Sequence, residues 1–318
     1  MNSTVTAQNI TASTSPFFHA FLKNFVLVFL GFSINYVNGT LVLTFFRNRV
    51  FYDNPRYTLY IHMVLTDMVQ LSVAIALHVI SYALPAINVA VCCCLLLVAS
   101  FTTMTTPLNL VGMAIERYVA VCDPLRHAQI CTLRRTYALI ALVRAVGAVP
   151  GLADLALLML FRPMSFFRSR ILCYHRSAFL TPSRGLKNRV AHALYMSLVW
   201  LALIYAYLRV LRAARSASTD PGSARKACNT IALHGAQLLL CMLAYVTPAV
   251  DAALMLHYPQ LRSQVLFLTY LVSYVLPRIL SPLIYGVRDE RFWKYTRDYW
   301  QCACRRTKVE PGTSTAVK

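Results

Sequence analysis

The sequence predicts an all-α membrane protein: a seven-transmembrane helix bundle followed by a short amphipathic helix lying on the membrane surface. Three observations carry this expectation. Of the 318 residues, 58% are hydrophobic and only 13% are charged, where soluble domains are about 25% charged. The mean hydropathy is +0.55, and the apolar residues fall into seven separate runs, each near the roughly 20 residues that cross a hydrocarbon core of about 30 Å. Lys and Arg gather between those runs.

Residues 1–22 are polar and rich in Ser, Thr and Asn. They lack the charged start, short apolar core and cleavage site of a signal peptide, so the first span is expected to direct its own insertion. Asn2-Ser3-Thr4 and Asn9-Ile10-Thr11 are sequons, and Asn2 and Asn9 become glycosylation sites if this tail lies outside. Asn38-Gly39-Thr40 also matches, but it sits within an apolar run. The predicted spans are Phe25–Phe46, Thr58–Leu84, Val91–Val121, Tyr137–Phe161, Arg189–Leu211, Thr230–Leu256 and Val265–Tyr285. In Asp289–Trp300, Phe292, Trp293, Tyr295, Tyr299 and Trp300 alternate with Arg291, Lys294 and Arg297, as suits a segment resting on a bilayer. The organisation expected is an extracellular, glycosylated tail (1–22), a seven-span domain (23–288) and a cytoplasmic amphipathic helix with a tail (289–318).

The net charge of +20 reads as a positive-inside bias. With the N-terminus outside, twenty of the 31 Lys and Arg fall on the inner side and nine outside, while Arg144 and Arg278 lie within spans. The larger inner share orients the chain N-out and C-in. Nucleic-acid binding is disfavoured, because the basic residues are split among loops and form no continuous face. No internal repeat is evident, which argues against a transporter built from two halves.

Charges inside spans need partners or water. Asp67 is central in the second span, within LTDMVQLS, and Arg278 in the seventh, within VLPRILSPLIY. They are expected to pair inside the bundle, either as a static brace or as a pair that rearranges on activation. At 100° per residue Arg278 shares a face with Tyr274. The third span ends in Glu116-Arg117-Tyr118, followed by Cys122-Asp123-Pro124. In this topology the thiols outside are the run Cys92-Cys93-Cys94 and Cys173, while Cys302 and Cys304 follow the surface helix inside.

The Glu116-Arg117-Tyr118 triplet resembles the cytoplasmic end of the third helix in rhodopsin-like G-protein-coupled receptors. The resemblance sharpens along the chain. Asn38-Gly39 resembles the first-helix Asn motif, and Asp67 the second-helix acid. The stretch from Met113 to Arg126, MAIERYVAVCDPLR, is similar to the MAxxRYxAICxPLxY signature of odorant receptors. Ser281-Pro282-Leu283-Ile284-Tyr285 is similar to their PxxNPxIY motif, with Ser281 in place of Asn. The run from Arg225 to Leu240 and the stretches Asn54-Pro-Arg-Tyr and Asp67-Met-Val-Gln-Leu resemble the fish-type branch. Two departures stand out. Arg144 occupies the place of the usual fourth-helix Trp, and the long cysteine-rich outer loop of mammalian odorant receptors is absent.

The resemblance implies a plasma-membrane odorant receptor that binds a small odorant and couples to a heterotrimeric G protein, in olfactory neurons a stimulatory, cyclase-linked one. It implies that Arg117 releases Glu116 on activation, with Tyr118, Pro282 and Tyr285 in the same machinery and Asn38, Asp67, Arg278 and Ser281 as a buried polar switch. It also implies a disulfide from the third helix to the following outer loop. Counting back 25 residues from Arg117, roughly 37 Å of helix, favours Cys92 over its neighbours as the partner of Cys173. Cys302 and Cys304 are either palmitoylated or free thiols. No cofactor or metal is required.

Bundle pockets open toward the outer end of the third helix. Thr103 and Thr106 lie near the inward face set by Arg117, Ser100 and Met104 flank it, Tyr245 precedes Pro248, and Tyr270 and Tyr274 occupy the outer seventh span. These residues either line a ligand pocket or pack helices. Among other classes, a retinal photoreceptor needs a Lys in the seventh span, and Val265–Tyr285 has none. An intramembrane enzyme needs a catalytic motif such as paired Asp, His-Glu-x-x-His or Gly-x-Ser-x-Gly, none of which occurs. The alternative is a non-olfactory receptor for another small ligand or a peptide. Amine recognition usually wants an acid on the outer third helix, where Ala99, Ser100 and Thr103 stand.

Overall fold

The computed structural model describes residues 3–84, 86–173, 184–216, 256–280 and 292–298, with positions 236, 239, 240, 242, 243, 246, 247, 250, 251, 253 and 254; the side chains of 3–17, 19, 20, 82, 184–192, 214–216, 259, 262 and 263 fall outside that description. The long helices are α1 (Ser3–Arg47), α2 (Pro55–Ala83), α3 (Val89–Cys122), α4 (Leu133–Phe161) and α5 (Arg184–Ser216). The described positions between 236 and 257 are all helical and form α6. The helix α7 (Arg262–Tyr270) runs on through a π turn, Leu271–Val275, into helical residues up to 280. A last helical segment covers 292–298.

Short polar side chains start the helices. Asn54 Oδ1 accepts the Arg56 N–H at 3.1 Å with Pro55 at the first helical position, and Asn88 Oδ1 accepts the Ala90 N–H at 2.9 Å. Such caps satisfy N–H groups that a helix leaves open at its start. Five segments are long and apolar enough to cross a membrane among the described residues: Phe21–Arg47, Pro55–Ser81, Val89–Cys122, Leu133–Phe161 and Ala193–Ala213. A shorter apolar stretch, Gln264–Leu280, lies in α7. On α1, Phe18, Phe21, Phe25, Phe29, Phe32 and Tyr36 are exposed at a spacing of three or four. That one-sided stripe is what acyl chains cover.

The helix α1 begins well upstream of the expected Phe25. Hydropathy marks where a helix meets lipid, whereas backbone hydrogen bonding continues through polar residues that have no apolar periodicity. Sequence therefore located the span and missed the helix start.

The bundle is built on α3, which packs against α2, α4 and α5, while α1 and α4 also pack on α2. Leu110 and Met113 of α3 meet Tyr60, Met63 and Val64 of α2 and Leu203 of α5 in one cluster. Gly147 of α4 abuts the Thr105 side chain of α3, so a Cβ there would collide with the Thr105 methyl. In the 292–298 segment, Phe292 and Thr296 are buried one turn apart, while Trp293, Lys294, Tyr295 and Arg297 face outward. The amphipathic expectation holds over that stretch; Tyr299 and Trp300 lie outside the described residues.

At the far end, β1 (Ile87–Asn88) pairs antiparallel with β2 (Arg170–Ile171), Ile87 opposite Ile171. Beside this ribbon Cys92 is bonded to Cys173, with Cα atoms 5.6 Å apart across a sequence separation of 81. Cys93 and Cys94 are free thiols. Val89, Leu96, Leu158, Phe166 and Ile171 pack around the bond.

Candidate functional site

Two prolines prepare the centre of the bundle. A helical carbonyl normally accepts the N–H four residues on, and Pro277 has none to give the Ser273 carbonyl. Arg278 Nη1 donates to that carbonyl at 3.3 Å. The same guanidinium lies 3.8 Å from Asp67 Oδ1 through Nε and donates through Nη2 to Gln70 Oε1 at 2.5 Å. Gln70 Nε2 donates in turn to Thr103 Oγ1 at 3.0 Å, and Thr106 Oγ1 donates to Gln70 Oε1 at 3.3 Å. Ser273 shares a hydroxyl contact with Thr247 of α6. One polar cluster thus joins α2, α3, α6 and α7, and Asp67 and Arg278 are both buried in it. Pro107 likewise withdraws the N–H that would bond the Thr103 carbonyl, and in the same turn the Tyr195 hydroxyl of α5 donates to the Met104 carbonyl at 2.6 Å.

A second polar chain crosses α4, α2 and α3. Arg144 Nε donates to His62 Nε2 at 2.7 Å, and His62 Nδ1 meets Asn109 Oδ1 at 3.1 Å. The tautomer with its proton on Nδ1 serves both contacts. His62 and Asn109 are buried and Arg144 is exposed, so the chain runs from the interior to the outer face of α4.

At the C-terminal end of α3, Glu116 is shared. Its Oε2 lies 3.6 Å from Arg117 Nε, and its Oε1 3.2 Å from His127 Nε2. His127 is brought there by the short helix Pro124–Ile130, which turns back directly after α3. Arg209 of α5 donates from Nη2 to the Tyr118 hydroxyl at 3.3 Å, its guanidinium 5.8 Å from the Tyr118 ring centre. Nearby, burial raises the Cys131 thiol above its ordinary pKa; the Glu116 carboxylate adds to this and Arg135 opposes it.

A cavity of about 350 Å³ lies between α2, α6 and α7. On the α7 side it is walled by Leu266, Thr269, Tyr270 and Tyr274. The other walls are His78 and Ser81 of α2 and Thr247 and Asp251 of α6. The Tyr270 and Tyr274 rings stack at 5.3 Å, and the His78 ring lies 5.1 Å from Tyr270. A second, apolar hollow of about 340 Å³ lies between α5 and α6 around Met196, Trp200 and Met242.

The structure divides the residues expected around a pocket. Tyr270 and Tyr274 line the cavity between α2, α6 and α7. Thr103 and Thr106 belong instead to the polar cluster, because Gln70 reaches them first. Met104 is buried and gives its carbonyl to Tyr195, and Ser100 is half-buried. Asn38 is buried in α1. Tyr245, Pro248, Ser281, Pro282, Tyr285, Cys302, Cys304, Asn2 and the side chain of Asn9 lie outside the described residues. Sequence reading missed Gln70, His127, Arg209 and Asp251. Gln70 carried a signal, since it lies three residues after Asp67 on the same helical face; the others are fixed only by tertiary packing.

Helices of membrane-spanning length, a disulfide staple from α3 and an ion-paired end of α3 are the features of a polytopic helix bundle. The family profile described as "7 transmembrane receptor (rhodopsin family)" matches residues 37–285, and the chain belongs to that family. It is a receptor of this class and not an enzyme. Odorant receptor 131-2 of Danio rerio is 29% identical over 283 residues, covering 86% of each chain. Olfactory receptor 51E1 of Homo sapiens is 27% identical over 57% of each chain, and Olfactory receptor 51E2 of Rattus norvegicus 25% identical over 65% of each.

Proposed function

We propose that this receptor detects a small odorant in the outer cavity and passes the change to a heterotrimeric G protein at the inner end, through a stimulatory, cAMP-raising route. The observation that carries the reading is the similarity to the zebrafish Odorant receptor 131-2 over 86% of the chain. The receptor works in the plasma membrane with its N-terminus and sequons at Asn2 and Asn9 outside. Residues 23–288 form the signalling bundle, and 289–318 lie in the cytoplasm with Cys302 and Cys304 as acylation sites.

The chain's own residues supply a route between the two ends. Tyr274 and Tyr270 of the cavity wall lie about one and about two turns from Arg278 on α7. A ligand that shifts α7 therefore disturbs Arg278 against Asp67 and Gln70, and Gln70 passes the change to Thr103 and Thr106 of α3. At the inner end of α3, Arg117 leaves Glu116 and becomes available to the G protein. Ligand binding selects one of two bundle arrangements only through its differential affinity for them. Cells expressing surface-tagged receptor and a cAMP reporter test this. Arg117→Ala is expected to abolish ligand-driven cAMP at unchanged surface level, and full retained signalling would refute the assigned role.

A further inference from the structure

The outer cavity carries a chemical preference. Among its described lining residues Asp251 supplies the only carboxylate. Its Oδ1 is buried and has no hydrogen-bond partner among the described residues, and the Tyr270 hydroxyl is in the same state. Three neighbouring hydroxyl donors, on Ser81, Thr269 and Thr247, are spent within the protein. Ser81 Oγ donates to the His78 carbonyl at 2.7 Å, and Thr269 Oγ1 to the Val265 carbonyl at 2.9 Å. Thr247 bonds the Leu243 carbonyl and the Ser273 hydroxyl. Arg278, the buried cation on α7, is engaged by Asp67, Gln70 and the Ser273 carbonyl. Among the described residues the cavity thus leaves unsatisfied one carboxylate oxygen and one phenol hydroxyl, and a buried carboxylate oxygen without a donor is costly.

Beside that acceptor stands an aromatic wall, the stacked Tyr270 and Tyr274 with the His78 ring against Tyr270. Such a wall takes an apolar body and attracts cations to its ring faces. The cavity volume, about 350 Å³, lies at the small end of ligand pockets. The geometry points to a small organic ammonium ligand, its N–H donating to Asp251 Oδ1 and its apolar body lying against Tyr270 and Tyr274. The acid for which the outer third helix offers no residue is supplied from α6. This inference rests on the reading of the cavity as the ligand site.

The test uses full-length receptor in lipid nanodiscs, with 2-phenylethylamine and hexylamine, the matching alcohols, and 3-phenylpropanoate as the anionic probe. Binding is read by thermal unfolding and by direct titration. Both amines are expected to raise Tm and to bind at least about tenfold more tightly than their alcohols. Asp251→Asn is expected to lower amine affinity by at least about tenfold, leaving the alcohols within about twofold, and Asp251→Glu to retain amine preference. Equal binding of amines and alcohols by the unmodified receptor overturns the proposal, and so does an Asp251→Asn variant that keeps its amine affinity. If Asp251→Asn does not fold, the wild-type selectivity and the Glu variant decide. The same probes applied to reporter cells separate the two readings. Signalling by alcohol or anion with inert amines removes the ammonium assignment and keeps the odorant receptor. Asp251-dependent amine binding without any reporter response keeps the site and removes the proposed cAMP route.

Discussion

Arg144 of α4 donates its Nε–H to His62 Nε2 of α2 at 2.7 Å, across 82 residues of sequence. An arginine within a span is expensive unless a partner takes up its hydrogen bonds. Here the imidazole does so, and Asn109 holds the imidazole from the other side.

That relationship predicts an asymmetric pair of variants. His62→Leu strands the Arg144 guanidinium and is expected to lower stability by about 2–3 kcal/mol. Adding Arg144→Leu is expected to recover part of that loss, since the guanidinium is then gone while the buried Asn109 still lacks its imidazole partner. Thermal unfolding of purified receptor measures both. A double variant no more stable than His62→Leu alone would show that the contact carries no energy.

Asp67 and Arg278 differ in what their loss leaves behind. Arg278→Met leaves a buried carboxylate facing Gln70, and breaking a buried pair from one side costs about 3–5 kcal/mol. Asp67→Asn keeps an oxygen that accepts from the guanidinium, so its effect is expected to be smaller. Exchanging the two charges is expected to regain part of the surface expression lost in Arg278→Asp. Flow cytometry reads this, and a swap that recovers nothing counts against pairing.

The staple gives a third expectation. Cys92→Ser, Cys173→Ser and the double variant should be equally impaired, each losing on the order of 4 kcal/mol by the chain-entropy argument for a long loop. Cys94→Ser, an exposed free thiol on the same turn, should change little. Non-reducing peptide mapping would overturn the pairing if Cys173 were found joined to Cys93 or Cys94.

At the C-terminal end of α3, Glu116 holds Arg117 and is itself held by His127. Glu116→Gln removes the charge that restrains Arg117, so ligand-free cAMP is expected to rise severalfold. His127→Ala is expected to raise it less, because Glu116 keeps its charge. Basal reporter output at matched surface level checks both, and a fall in either variant contradicts the restraint.

The sequence foreshadowed some of this and concealed the rest, for reasons visible in particular residues. Hydrophobic runs located the spans because lipid contact selects composition directly. Cys92 was singled out from three adjacent cysteines because helix rise fixes its height above Arg117. Asp67 and Arg278 were legible because charges in lipid must find partners. By contrast, His62 sits in a span with no hint of which neighbour it faces, since periodicity gives a helix its faces but not its rotation against another helix. The π turn Leu271–Val275 escaped notice because a one-residue shift in backbone hydrogen bonding, such as Leu276 N–H to the Leu271 carbonyl, leaves no mark on the apolar pattern. Asp251 was missed because only the packing of α2 and α7 against α6 makes it part of a cavity wall.

The seating of Phe292 has a consequence for the tail. Its ring packs against Phe51, Tyr57 and Tyr60, with centroids 5.0, 5.8 and 6.0 Å away, at the corner where α1 hands over to α2. The last helix is therefore keyed into its socket by Phe292, with the Tyr295 ring set edge-on against Phe51 at 5.4 Å beside it. Fusions placed after residue 298 leave the lock shut, whereas truncation before Phe292 opens a void at the base of the first two helices.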